Sequence, residues 1–140
     1  MPMAGAKWTA LPSWKELVST TITAEGLELS LNSGLVFDSG KAIIRPASFP
    51  LLDDAVVVLQ QYPTLKIRIS GHTDDKGKHD FNTQLSLDRA NAVKTYLQSK
   101  GVGEERIQTR GAGPDEPIAD NKTATGRQQN RRIEFELLPQ

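Results

Sequence analysis

Three stretches of this 140-residue chain alternate apolar and polar residues with a period of two, and that period constrains the fold more than any other feature. Leu27, Leu29 and Leu31 alternate with Glu28, Ser30 and Asn32; Leu65, Ile67 and Ile69 with Lys66, Arg68 and Ser70; Ile133, Phe135 and Leu137 with Glu134 and Glu136. Successive side chains of a strand point to opposite faces, so each stretch predicts a strand with one buried and one solvated side. A shorter strand is expected near Arg106 to Gly111. A parallel sheet covered on both faces needs continuously apolar strands, which these are not. The pattern therefore predicts an α+β architecture, a mixed sheet with helices packed on one face. If the last strand neighbours the one at Leu65 to Ile69, its outward acids can pair across the sheet with Lys66 and Arg68.

Between the strands the period changes to that of a helix. Ser48 is a candidate cap, Pro50 is tolerated in a first turn, and Leu52, Ala55, Val56 and Leu59 follow at helical spacing until Pro63 forbids continuation, which predicts a helix over Ser48 to Gln61. A second helix is predicted from Asn82 to Lys100, with Leu85, Ala92, Val93, Tyr96 and Leu97 as its apolar stripe and Gly101 as its stop. The connection from Ala112 to Asn130 is long for a compact domain, and a short helix is expected at Thr123 to Asn130. Residues 1–22 carry Trp8 and Trp14 with no sustained periodicity. They read as a tail or linker whose tryptophans pack on the body, leaving 23–138 as one domain.

Composition narrows the partners. Seventeen basic residues balance seventeen acidic ones, so no net field draws the chain to nucleic acid or an anionic membrane. No window approaches the roughly 18 apolar residues of a bilayer span, and the N-terminus shows no secretory leader. The chain reads either as cytoplasmic or as the soluble piece of an exported protein. With no cysteine, disulfides, thiol catalysis and cysteine metal sites are all excluded.

The strand at Leu65 to Ile69 leads directly into an acidic turn, Gly71, His72, Thr73, Asp74 and Asp75, and the sheet's strand ends are where such folds usually bind ligands. Asp74 lies fifteen positions before Arg89, which sits on the helix returning across that turn. Two readings stand: a plain salt bridge tying loop to helix, or two charges facing one pocket, the carboxylate taking an ammonium and the guanidinium a carboxylate. The second pocket would select the zwitterionic head of an amino acid. His72, Asp74, Asp75, His79 and Asp80 match no strong zinc spacing, so no metal is expected. No serine sits in a nucleophile elbow, and no catalytic residue or cofactor is expected. Gly71, Gly77, Gly111 and Gly113 form no phosphate loop and read as turn glycines. Arg127, Asn130, Arg131 and Arg132 form a basic cluster that reads as a solvated charge run, or else lies near polymer carboxylates or against the loop after Gly113.

Five segments, FDSGKA (37–42), GHTDDKG (71–77), FNTQLSLDRANAVKTYL (81–97), GVGEERIQTRGAGPDEPIADN (101–121) and TATGRQQNRRIEFE (123–136), resemble in order and spacing the OmpA-like C-terminal domain. That family is the peptidoglycan-binding module of OmpA, the Pal lipoprotein, MotB and related envelope proteins, and the likeness covers about Thr23 to Leu138. It implies a βαβαβ-type mixed four-stranded sheet, a periplasmic domain of a protein anchored to the outer membrane or envelope through an N-terminal anchor outside this sequence, and no enzymatic activity. It also implies non-covalent binding of peptidoglycan through the meso-diaminopimelate of the peptide stem. Matched residue by residue, Asp74 would hold the ammonium of diaminopimelate and Arg89 its carboxylate. Asn82 matches the family asparagine, with Phe81 where the family has tyrosine. The backbone of Asp38 would line the same pocket, with Thr73, Leu85 and Asn130 as wall residues. MotB-like members work as dimers, so a homodimer stands among the implied partners. Two other readings are a docking or dimerisation module of the same fold that has lost peptidoglycan binding, and a metal-dependent hydrolase built on His72, Asp74 and His79.

Overall fold

The alternating stretches all lie in one sheet. The computed structural model describes residues 18–23 and 26–138. Its strands are β1 (Val18–Thr23), β2 (Gly26–Asn32), β3 (Ile67–His72), β4 (Ile107–Gly113) and β5 (Arg132–Leu137), in the order β1-β2-β5-β3-β4. Neighbours run antiparallel except β3 and β4, which are parallel and are joined by a crossover helix. The mixed sheet is the one the patterning predicts. β1 is a fifth strand, and it begins inside the span read as tail; the expected packing of Trp8 and Trp14 lies outside the described residues.

The helices are α1 (Ser33–Val36), α2 (Phe49–Gln61), α3 (His79–Ser99) and α4 (Ala124–Asn130). Ser48 does not cap α2. It ends a 3-10 turn over Pro46–Ser48, and its hydroxyl donates to the Arg45 carbonyl at 2.7 Å. α3 starts at His79, three residues before the apolar stripe would place it, because its first turn is exposed and carries no core residue. α4 falls where the long connection is expected to hold a helix, capped by the Thr123 hydroxyl, which accepts from the Gly126 amide at 2.9 Å.

The apolar sides of β3 and β5, through Ile67, Ile69, Ile133 and Phe135, pack against Leu52, Ala55 and Leu59 of α2 and Val93 and Leu97 of α3, all fully buried. Arg106 closes the far end of this core. Its guanidinium donates to the carbonyls of Leu59, Tyr62 and Leu65 at 2.6, 2.9 and 3.0 Å, which satisfies the last acceptors of α2 and the turn after it.

Gly71 and Gly111 are not turn glycines. They sit in β3 and β4 where α3 crosses, and a Cβ on Gly71 would stand 2.2 Å from the Ser86 carbonyl oxygen, one on Gly111 2.6 Å from Leu87 Cβ. Their missing side chains let α3 lie close on the sheet. Gly77 and Gly113, with φ of 87° and 55°, do occupy the left-handed conformations a turn reading requires.

The polar side of the sheet is not simply solvated. The register sets Arg68 opposite Glu136, and the expected cross-strand pair is present, Arg68 Nη2 lying 2.6 Å from Glu136 Oε2. Beside it Ser70, His72, Arg132 and Glu134 are all buried. Glu134 accepts from Arg132 Nε at 2.7 Å and lies 2.9 Å from His72 Nε2, while Arg132 Nη2 donates to the Glu116 carbonyl at 3.0 Å. The polar residues lie on this face as the alternation predicts, but there they pair with one another instead of facing water.

Candidate ligand-binding cavity

β3 ends at His72 and delivers the acidic turn to the edge of the sheet. The Thr73 amide still donates to the Gly113 carbonyl at 2.9 Å, so the turn leaves the sheet from a fixed point. The Lys76 amide then donates to Asp74 Oδ1 at 3.0 Å, an Asx-type turn that orients the carboxylate. Asn82, in the first turns of α3, donates from Nδ2 to the Lys76 carbonyl at 2.6 Å and pins the loop onto the helix.

On α3, Asn82, Leu85 and Arg89 recur at spacings of three and four and therefore share one helix face. Arg89 is only 5% exposed. Its Nε and Nη2 donate to the carbonyls of Lys41 and Asp38 at 2.9 and 3.1 Å, and its guanidinium carbon lies 5.0 Å over the Phe37 ring. Burial, and after it the nearby charge of Arg131, lower its pKa from the ordinary value. Two of the three guanidinium nitrogens are thus held by backbone, and Nη1 carries no protein hydrogen bond among the described residues.

These side chains surround a cavity of about 530 Å³. One wall is the α1 region, through Ser33, Gly34, Phe37, Ser39 and Gly40; the other is Thr73, Asp74 and Lys76 with Phe81, Asn82, Leu85 and Arg89. Asp74 and Arg89 therefore share a cavity without pairing. Asp74 is instead ion-paired with Arg131, whose Nη1 contacts its Oδ2.

The other expected site residues separate. Asp38 contributes its backbone carbonyl, and its exposed carboxylate points to Arg45, with Oδ1 3.8 Å from Nε. Thr73 and Leu85 line the cavity. Asn130 does not: it is fully buried, accepting from the amides of Ile118 and Ala119 and donating to the Ala119 carbonyl and Asn121 Oδ1, so it braces the connection before α4. His72, Asp74 and His79 are not brought together. His72 faces Glu134 across the sheet, His79 bonds Asp115 at 2.7 Å, and Asp74 bonds Arg131. Among the described residues no group of three or more His, Asp or Glu side chains could hold a metal ion.

Arg131 was legible only as one member of a basic cluster. The signal that places it is register: β5 runs antiparallel to β3 with His72 opposite Arg132, so the residue before β5 meets the turn after β3.

A model of the OmpA family matches residues 36–131. The lipoprotein YiaD of Escherichia coli (strain K12) is 41% identical over 122 residues, which make up 87% of this chain and 56% of that protein. The chain thus spans a little over half the length of that relative. Among solved structures, a MotB-like protein from Desulfovibrio vulgaris superposes with a TM-score of 0.89 at 21% identity, over 99% of this chain and 92% of that one. The peptidoglycan-associated lipoprotein from Burkholderia pseudomallei superposes with a TM-score of 0.66 at 29% identity, over 76% and 88%.

Proposed function

Because this chain belongs to the OmpA family, we propose that it is a non-enzymatic cell-wall anchor domain of the periplasm, which holds peptidoglycan by the meso-diaminopimelate of its peptide stem. The observation that carries the reading is Arg89. It is buried at the cavity wall, fixed by the Asp38 and Lys41 carbonyls, and its Nη1, unbonded among the described residues, can receive a carboxylate. A guanidinium held in that way is oriented before the ligand arrives, so little rotamer entropy is lost on binding. Asp74, oriented by the Lys76 amide in the same cavity, supplies the complementary charge for an ammonium. A cavity with one fixed anion and one fixed cation fits an amino-acid head.

The same geometry favours diaminopimelate over lysine in the stem. Lysine ends in an ammonium alone, so binding it would desolvate Arg89 without a partner. The likeness to a peptidoglycan-associated lipoprotein supports the substrate class. Co-sedimentation tests the reading: incubated with purified diaminopimelate-type sacculi and centrifuged, the chain should appear in the pellet. Recovery entirely in the supernatant would favour a docking module of the same fold.

A further inference from the structure

The charges around the cavity do not balance. Among the described residues its charged lining is one anion, Asp74, and three cations, Lys76, Arg89 and Arg131. The single anion is already engaged, by the Lys76 amide on Oδ1 and by Arg131 on Oδ2. An ammonium approaching Asp74 therefore meets Arg131 first. A zwitterionic head, which brings one positive and one negative charge, would leave Arg131 without a counterion and would set an ammonium beside it.

Arg131 differs from Arg89 in how it is held. Arg89 is buried and bonded to two backbone carbonyls, whereas the side chain of Arg131 is 42% exposed and its one ion pair among the described residues is with Asp74. Asp74, at 12% side-chain exposure, is the fixed partner of the two. The long, exposed side chain is the part that can move at little cost.

We propose that Arg131 is a specificity-determining residue which leaves Asp74 when the ligand's ammonium arrives and pairs with a second free carboxylate of that ligand. Resting on the stem-peptide reading above, it narrows the ligand class to peptides with two acidic groups within reach of one another: the carboxylate of the amino-acid head, taken by Arg89, and another on the same stem. The Asp74–Arg131 pair neutralises Asp74 in the empty cavity, and it disfavours ligands that offer an ammonium but no second anion.

The test is isothermal titration of the chain with two synthetic peptides, L-alanyl-γ-D-glutamyl-meso-diaminopimelate and the same tripeptide amidated at every carboxyl except that of the diaminopimelate head. Wild type should prefer the free tripeptide by about tenfold, the scale of one partly exposed charge-assisted contact. Arg131→Gln should bind both peptides with equal affinity, and Arg131→Lys should retain a preference. Unchanged thermal midpoints would show that the variants are folded. A wild type that binds both peptides equally, or an Arg131→Gln variant that keeps the full preference, would overturn the inference while leaving the anchor reading standing. Failure of wild type to bind either peptide would overturn both.

Discussion

Replacing Arg89 with alanine, or Asp74 with asparagine, is expected to remove the chain from the sacculus pellet. The two substitutions fail for different physical reasons. Asp74→Asn keeps the shape and the Lys76 amide bond but removes the charge proposed to receive the ammonium. It also releases Arg131, which adds an unpaired cation to the cavity. Losing one partner of a desolvated charge pair costs on the order of 2–5 kcal/mol of binding, enough to reduce retention below detection for a weak multivalent polymer contact. Arg89→Ala removes the proposed carboxylate receptor and also frees the carbonyls of Asp38 and Lys41, so it should cost about 1–3 kcal/mol of stability besides. Circular dichroism of both variants should still show the folded domain, because neither residue belongs to the apolar core. Normal pelleting of both would contradict the role given to the cavity.

The second large effect concerns the buried ion network on the other face of the sheet. Burial pushes the Glu134 carboxyl up, but His72 and Arg132 together outweigh it and hold it at about 2, against an ordinary 4.5. A carboxyl whose folded pKa is depressed stabilises the native state above its unfolded pKa and loses that contribution as pH falls through the folded value. Stability should therefore fall between about pH 4.5 and 2. The contribution at neutral pH is on the order of 3 kcal/mol by this linkage, and a similar loss is expected on leaving the buried Arg132 unpaired. Glu134→Gln should thus lower neutral-pH stability by that amount and flatten the acid limb of the profile. Urea denaturation of both proteins across that range measures it, and an acid limb of equal steepness in wild type and variant would exclude Glu134 as its source.

The parts of the fold that were legible in the sequence are those whose pattern is local. β2, β3 and β5 alternate cleanly, and α2 and the body of α3 show an apolar stripe. β1 escaped because Val18–Thr23 carries threonine and serine where an apolar side would be sought, although five of its six residues are β-branched and favour strands. Ser48 and Asn130 have residue types suited to caps and pocket walls, and only the tertiary structure shows that Ser48 donates to the Arg45 carbonyl and that Asn130 is engaged by the backbone of Ile118 and Ala119. Gly71 and Gly111 look like turn glycines in one dimension; that they are contact points for α3 depends on where the helix crosses.

The site divides along the same line. Asp74 and Arg89 could be paired as candidates because a strand-turn-helix unit joins them within a single stretch. Arg131 comes from the opposite end of the domain and reaches Asp74 only through the β3–β5 register. The choice between a direct Asp74–Arg89 bridge and two charges facing one pocket turned on backbone carbonyls. No pattern of side chains announces that the carbonyls of Asp38 and Lys41 hold the Arg89 guanidinium.

Asp74 and Arg89 are proposed to receive the two halves of one amino-acid head. Calorimetric comparison of the wild-type chain with L-alanyl-γ-D-glutamyl-meso-diaminopimelate and with its L-lysine counterpart tests this most directly. The diaminopimelate peptide should bind about tenfold to a hundredfold more tightly, since only it supplies the carboxylate for Arg89. Equal affinity for the two peptides would exclude Arg89 as the receptor of a head carboxylate.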